Sequence, residues 1–126
     1  MHKIILLGCG GHAASCIDVI ESEGKFEIIG LIDQEVKKSS KFMNYPIIGT
    51  DQELIKIKKE CEYAFIAIGQ IKNSKIRESK FEELISLGFK IPFIISPNAY
   101  VSSRSNIEAG TIIMHNAIVN SNVKIG

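Results

Sequence analysis

The segment Gly8-Cys9-Gly10-Gly11-His12-Ala13 reads G-x-G-x-x-A and stands between an aliphatic run and a helical pattern. Glycines permit positive φ and let the backbone approach a ligand closely. The free N–H groups at the start of the following helix then offer a site for phosphate. Asp33 ends the next aliphatic run, where dinucleotide folds hold the acid that grips a ribose hydroxyl. Ala67, Ile68 and Gly69 end a third run, at the edge of an open sheet where ligands bind. Lys72 follows in the loop; it suits a phosphate and equally suits a solvated surface. His12 sits beside the phosphate position and has the donors to touch phosphate or sugar. Cys9 lies in the turn itself. A nucleophilic thiolate needs an activating base, and only His12 is near in sequence, so Cys9 is read as a binding-turn residue. A simpler reading stays open: the glycines make a tight turn, and Asp33 caps a loop.

These residues need a frame. Residues 3–7 form a continuous aliphatic run, the mark of a strand buried on both faces of a parallel sheet. Ala13, Cys16, Ile17 and Ile20 share one face of a helix that Gly24 ends. Residues 27–33 read as a second strand and residues 34–49 as a loop containing Pro46. Thr50 or Asp51 can cap a short helix carrying Leu54, Ile55 and Ile57. Residues 63–68 read as a third strand. Residues 74–87 read as a helix with Phe81, Leu84 and Ile85 inward and Gly88 as its stop. A fourth strand is expected over residues 91–95. Strands alternating with helices imply a parallel sheet with right-handed crossovers.

The last third of the chain has a period of six. Large aliphatic residues stand at Ile95, Val101, Ile107, Ile113, Val119 and Ile125. Two places before the last five stand Ala99, Ser105, Thr111, Ala117 and Val123, of which all but Val123 are small. A hexapeptide repeat explains this, and it reads as short parallel strands wound into a left-handed β-helix. The fold class is therefore α/β: a Rossmann-like parallel sheet with flanking helices over residues 1–93, then the first coils of a left-handed parallel β-helix over residues 95–126. About two coils are too few for a self-contained solenoid, and no polar end-cap is present. The chain is accordingly expected to be the front part of a longer protein. By itself it is expected to be monomeric or weakly associating, with Ile112, Met114 and Ile118 as the contact points.

Composition narrows the function. Hydrophobic residues make up 45% of the chain, enough for an ordinary core, and the formal net charge is +1. Lys and Arg are scattered, which argues against nucleic acid as a partner. Cys9, Cys16 and Cys61 are odd in number and lack metal-ligand spacing, so no metal site is expected. With no signal peptide, they suggest reduced thiols in a cytoplasm. No apolar run approaches the ~20 residues that span a membrane. His115, on the odd register of the repeat, is read as a packing or surface residue.

The turn ending in Gly-Gly-His, the strand ending in Asp33, the Ala67-Ile68-Gly69 stretch and hexapeptides opening with Ser96-Pro97-Asn98-Ala99 together resemble one family. It is the sialic-acid and bacillosamine type of sugar O-/N-acetyltransferases, hexapeptide-repeat acyltransferases of bacterial surface-glycan synthesis. The resemblance covers the whole chain but only the front part of the family's length. It implies a nucleotide-sugar or sugar acceptor on the first domain, at Gly8, Gly10, Gly11, His12, Asp33, Ala67, Ile68 and Gly69. It further implies acetyl-CoA as co-substrate, bound by the β-helix between subunits of a homotrimer, with none held tightly by this chain alone. The family's base is a histidine followed by an acid; no such pair exists here, so it is expected beyond Gly126 and the chain itself is expected to be inactive. Two other readings use the same residues. One is an NAD(P)-type dinucleotide-binding domain of an oxidoreductase, which the hexapeptides oppose. The other is a non-catalytic nucleotide- or sugar-binding module.

Overall fold

The structure, a computed structural model, describes residues 1–33, 40–68, 75–107, 110–114, 117–119 and 124–125. The first aliphatic run forms β1 (His2–Leu7) at the centre of a five-stranded sheet. Helix α1 (Gly11–Glu23) leads to β2 (Phe26–Ile32), which pairs parallel with β1 on one side. Gly24 closes α1 in the left-handed region at φ 72°, its N–H donating to the Ile20 carbonyl. The chain then adds β3 (Lys41–Phe42) and β4 (Tyr45–Gly49) beyond β2. A 3-10 turn (Asp51–Glu53) and the short α2 (Leu54–Ile57) follow. β5 (Tyr63–Ile66) returns to pair parallel with the far side of β1, and α3 (Lys75–Ser86) follows it. The order is β3-β4-β2-β1-β5, parallel except for the antiparallel β3–β4 edge.

Side-chain alternation divides the core. Ile4, Leu6 and Phe65 pack with the α1 residues Ala13, Cys16, Ile17, Val19 and Ile20 on one face. Ile5, Leu7, Ala64 and Ile66 pack with Leu54, Leu84 and Phe89 on the other. Because β1 is covered on both faces, all of Ile4–Leu7 is buried, as an uninterrupted aliphatic run requires.

Four local expectations are corrected. The loop expected over residues 34–49 contains the β3–β4 hairpin; residues 34–39 lie outside the described residues. Its turn, Met43-Asn44, has positive φ at both positions (50° and 72°), the geometry of a two-residue hairpin. Methionine gives no hint of that conformation, and Pro46 is tolerated because it lies near the edge of the sheet. Ile55 and Ile85, expected inward, are 67% and 51% exposed. Their helices bury narrow stripes, centred on Leu54 in α2 and Leu84 in α3. Residues 91–95 do not form a fourth sheet strand. The sheet gains only a bridge from Tyr63 to Lys90, and Pro92 interrupts the run.

The period of six emerges as six two-residue strands: β6 (Ile94–Ile95), β7 (Tyr100–Val101), β8 (Asn106–Ile107), β9 (Ile112–Ile113), β10 (Ile118–Val119) and β11 (Lys124–Ile125). Each of the first three pairs in parallel with the strand three further on: β6 with β9, β7 with β10, β8 with β11. Three strands therefore complete one turn, which gives the triangular coil of the left-handed β-helix class. Its first strand is docked on the sheet unit: Ile94 is fully buried in the cluster around α1, and Ile112 packs against the same cluster. Ile112, expected as a contact between chains, is thus partly buried within its own chain. Met114 is 37% exposed, and the side chain of Ile118 lies outside the described residues. No helix among the described residues is long and apolar enough to cross a membrane.

Candidate functional site

The chain leaves β1 toward β2 on one side and later returns to β5 on the other, so connections diverge at the C-terminal ends of β1 and β5. In open α/β sheets such a divergence leaves a crevice. The glycine turn lies at that edge of the sheet. The Gly8 N–H donates to the Ile32 carbonyl at 2.8 Å, and the Ala67 N–H donates to the Leu7 carbonyl at 2.8 Å. Gly8 has φ 114°, and a Cβ there would stand 3.1 Å from the backbone of Ala67 and Ile68. Only glycine combines that φ with that approach. Gly10 differs: its φ is 140°, but a Cβ would meet nothing within 4 Å. Gly10 precedes the first turn of α1, and no side chain caps that turn. The helix start therefore offers backbone N–H groups and partial positive charge to open space.

Three side chains set the electrostatics. The Cys9 thiol donates to the Asp33 carboxylate, and its pKa is pushed up to about 11, first by burial and then by the Asp33 charge. Cys9 therefore stays a neutral thiol near neutral pH, which removes it as a nucleophile. The Asp33 N–H is held by the Gly49 carbonyl at 3.1 Å, which fixes the end of β2 beside the turn. His12, at the second position of α1, is half-buried; burial and then the Arg77 charge lower its pKa below 6.5. Arg77, in the first turn of α3, donates from Nη2 to the Ile68 carbonyl at 2.6 Å. The same cation acts on Cys16, whose pKa burial nonetheless pushes up to about 11.

Gly8, Cys9, Gly10, Gly11, His12, Asp33, Ala67 and Ile68 thus share one edge of the sheet. Gly69 and Lys72 lie outside the described residues, as does His115. Arg77 was missed by the sequence reading. A single arginine among the charged residues of an exposed helix carries no signal until the topology brings α3 beside the glycine turn. The arrangement supplies backbone N–H groups, one cation and one carboxylate around an open space. Among the described residues no group of three His, Cys, Asp or Glu side chains could hold a metal ion.

Known proteins share this architecture. Perosamine N-acetyltransferase PerB from Caulobacter crescentus, solved with CoA and GDP-perosamine, superposes with a TM-score of 0.86 at 22% identity, over 100% of this chain and 57% of its own. At that identity the likeness speaks for the fold alone. The acetyltransferase domain of PglB from Neisseria gonorrhoeae, solved with acetyl coenzyme A, superposes with a TM-score of 0.81 at 27% identity, over 99% of this chain and 60% of its own. The chain therefore spans about three fifths of the length of these relatives. The model of the PglD N-terminal domain matches residues 3–84, more than half of the sequence, and the chain belongs to that family.

Proposed function

We propose that this chain is the acceptor-binding part of an acetyl-CoA-dependent sugar acetyltransferase of bacterial glycan synthesis, and that its ligand is a nucleoside diphosphate sugar. One observation carries the reading: an uncapped glycine turn at the sheet's switch point, with Arg77 beside it, is built onto a hexapeptide coil through the same helix. In the site, Gly8, Cys9, Gly10, Gly11 and His12 cradle the phosphates, Asp33 accepts from a ribose or base, and Ala67 and Ile68 line the opposite wall; Gly69 and Lys72 join the proposed site on the sequence alone. Membership of the PglD N-terminal domain family and the likeness to the PglB acetyltransferase domain, solved with acetyl coenzyme A, support acetyl-CoA as co-substrate. In the transfer, a sugar amine or hydroxyl attacks the thioester carbonyl, a base takes its proton, and the CoA thiolate leaves. None of the residues around the glycine turn is placed to be that base: Cys9 is held as a thiol, and His12 stands at the phosphate end. The residues around the glycine turn therefore bind the acceptor, and a trimer built on the coils is the assembly proposed for the enzyme.

Calorimetry at fixed salt tests this with UMP, CMP, GMP and NAD. Tighter binding of a mononucleotide than of NAD is the expected result. Preference for NAD would overturn the reading in favour of a dinucleotide domain, and binding of none would remove the acceptor site altogether.

A further inference from the structure

Glu23 ends α1 where a carboxylate is least favoured. A helix C-terminus carries partial negative charge, and no basic residue stands in the last turn of α1 to offset it. The side chain is only 8% exposed. Its Oε2 accepts the Ile95 N–H at 3.3 Å and lies 3.6 Å from Nζ of the exposed Lys25. Its Oε1 is buried and has no hydrogen-bond partner among the described residues. One residue thus combines an adverse helix dipole, desolvation and an unmatched oxygen. A buried acid of this kind is weak evidence for stability, and its best-attested use is to fix one arrangement among several.

The arrangement that Glu23 can fix is visible. Ile95 belongs to the first coil strand, and its neighbour Ile94 is fully buried against α1. The apolar contact holds the coil near the helix but is non-directional. The hydrogen bond from Ile95 to Glu23 has a direction. The other end of α1 is the glycine turn, about 20 Å away for thirteen residues at 1.5 Å each.

We propose that Glu23 is a positioning residue: by taking the Ile95 amide it sets the angle of the coil on α1, and so the placement of the coil relative to a ligand at the glycine turn. The functional consequence rests on the acceptor reading above; the orientation itself does not. Residual dipolar couplings of the 126-residue chain test it, with amide exchange at Ile95 and UMP affinity measured alongside. In the unaltered protein, sheet and coil residues should fit one alignment tensor. In Glu23→Leu they should need two, and Ile95 should exchange at least tenfold faster, while the thermal midpoint holds or rises because an apolar side chain replaces a buried charge. Glu23→Ala gives the same readout should the leucine variant not fold. Glu23→Gln keeps an acceptor oxygen and should restore the single tensor. A single tensor with unchanged Ile95 exchange in the leucine and alanine variants would overturn the proposal, as would failure of glutamine to restore it. UMP affinity should be equal in all the folded variants. Failure of the unaltered chain to bind any nucleotide would strike the acceptor reading and leave the coupling results to decide the role of Glu23.

Discussion

The Arg77 guanidinium reaches from the first turn of α3 to the Ile68 carbonyl, 2.6 Å away, and so holds a cation at the end of β5. That bond uses one of five guanidinium N–H donors. A guanidinium can offer its further donors to an anion above the glycine turn. Arg77→Gln should weaken UMP or GMP binding roughly five- to tenfold, a value set at about 1 kcal/mol because the side chain is exposed and screened. Uridine or guanosine, which lack phosphate, should bind the variant as they bind the parent chain. The salt dependence of nucleotide binding should also become shallower. Equal losses for nucleoside and nucleotide would show that Arg77 supports the fold and not the phosphate.

Gly8 and Gly10 separate folding from binding. Alanine at Gly8 would place a Cβ 3.1 Å from three backbone atoms at φ 114°. Backbone atoms cannot swing aside as a side chain does, so Gly8→Ala should destabilise by about 2–3 kcal/mol. A Cβ at Gly10 meets nothing within 4 Å among the described residues beyond its chain neighbours, so the φ of 140° is the main opposition to alanine there. Its cost to stability should be smaller, about 1–2 kcal/mol, while the branched valine occupies the space offered to phosphate. Thermal unfolding and calorimetry on the two variants should rank them in opposite orders. A Gly10→Val chain that binds UMP normally would move the phosphate off this turn.

How much of this was legible depended on whether the signal was local. The glycine turn and the six-residue period are patterns within a few neighbours, and both sit in the structure at the residues that carry them: Gly8, Gly10 and strands β6 to β11. The hairpin at Met43-Asn44 escaped because its positive φ falls on a residue type that rarely adopts it. Pro92 sits inside an apolar stretch that otherwise reads as a strand, so the break was passed over. Arg77 and Glu23 escaped for a different reason. Each acts on a group distant in the sequence, His12 for Arg77 and Ile95 for Glu23, and only the switch point and the docking of the coil bring those groups near. Ile112 reads from the sequence as a contact between chains; in the fold it is partly buried against the cluster that holds Ile94 and the inner face of α1.

His12 should titrate below 6.5, because burial and the neighbouring Arg77 charge both disfavour the imidazolium. With a folded pKa below the unfolded one, the unfolded chain binds more protons in that window. The stabilising contribution is therefore complete above pH 6.5 and is lost as pH falls through the lowered folded value. Carbon-detected titration of the imidazole resonances should give the low pKa directly. Arg77→Gln should raise it in part, since burial, the larger cause, remains. A nucleotide phosphate bound beside His12 should raise it further, so UMP binding should tighten as pH falls from 8 to 6. A His12 pKa that ignores both Arg77 and UMP would take the imidazole out of the site.

Cys9 provides a test that needs no ligand. Its pKa of about 11 has burial as the larger cause and the Asp33 carboxylate as the next. Only thiolate alkylates at a useful rate, and a thiol of that pKa has about one part in ten thousand ionised at pH 7. Iodoacetamide should therefore label Cys9 very slowly at pH 7, with a rate that climbs about tenfold per pH unit up to 10. Asp33→Asn removes the carboxylate's charge and replaces its hydrogen-bond acceptor with a neutral one. The midpoint should then fall, but not to the ordinary thiol value, since burial stays. The labelling rate at pH 8 should rise several-fold, read by mass spectrometry of the peptide that carries Cys9. Cys16 and Cys61 are buried and serve as internal controls that should label only on unfolding. Rapid labelling of Cys9 at pH 7 in the unaltered chain would mean that its thiol does not face Asp33, and the acid would then be free to turn toward a ligand without breaking that bond.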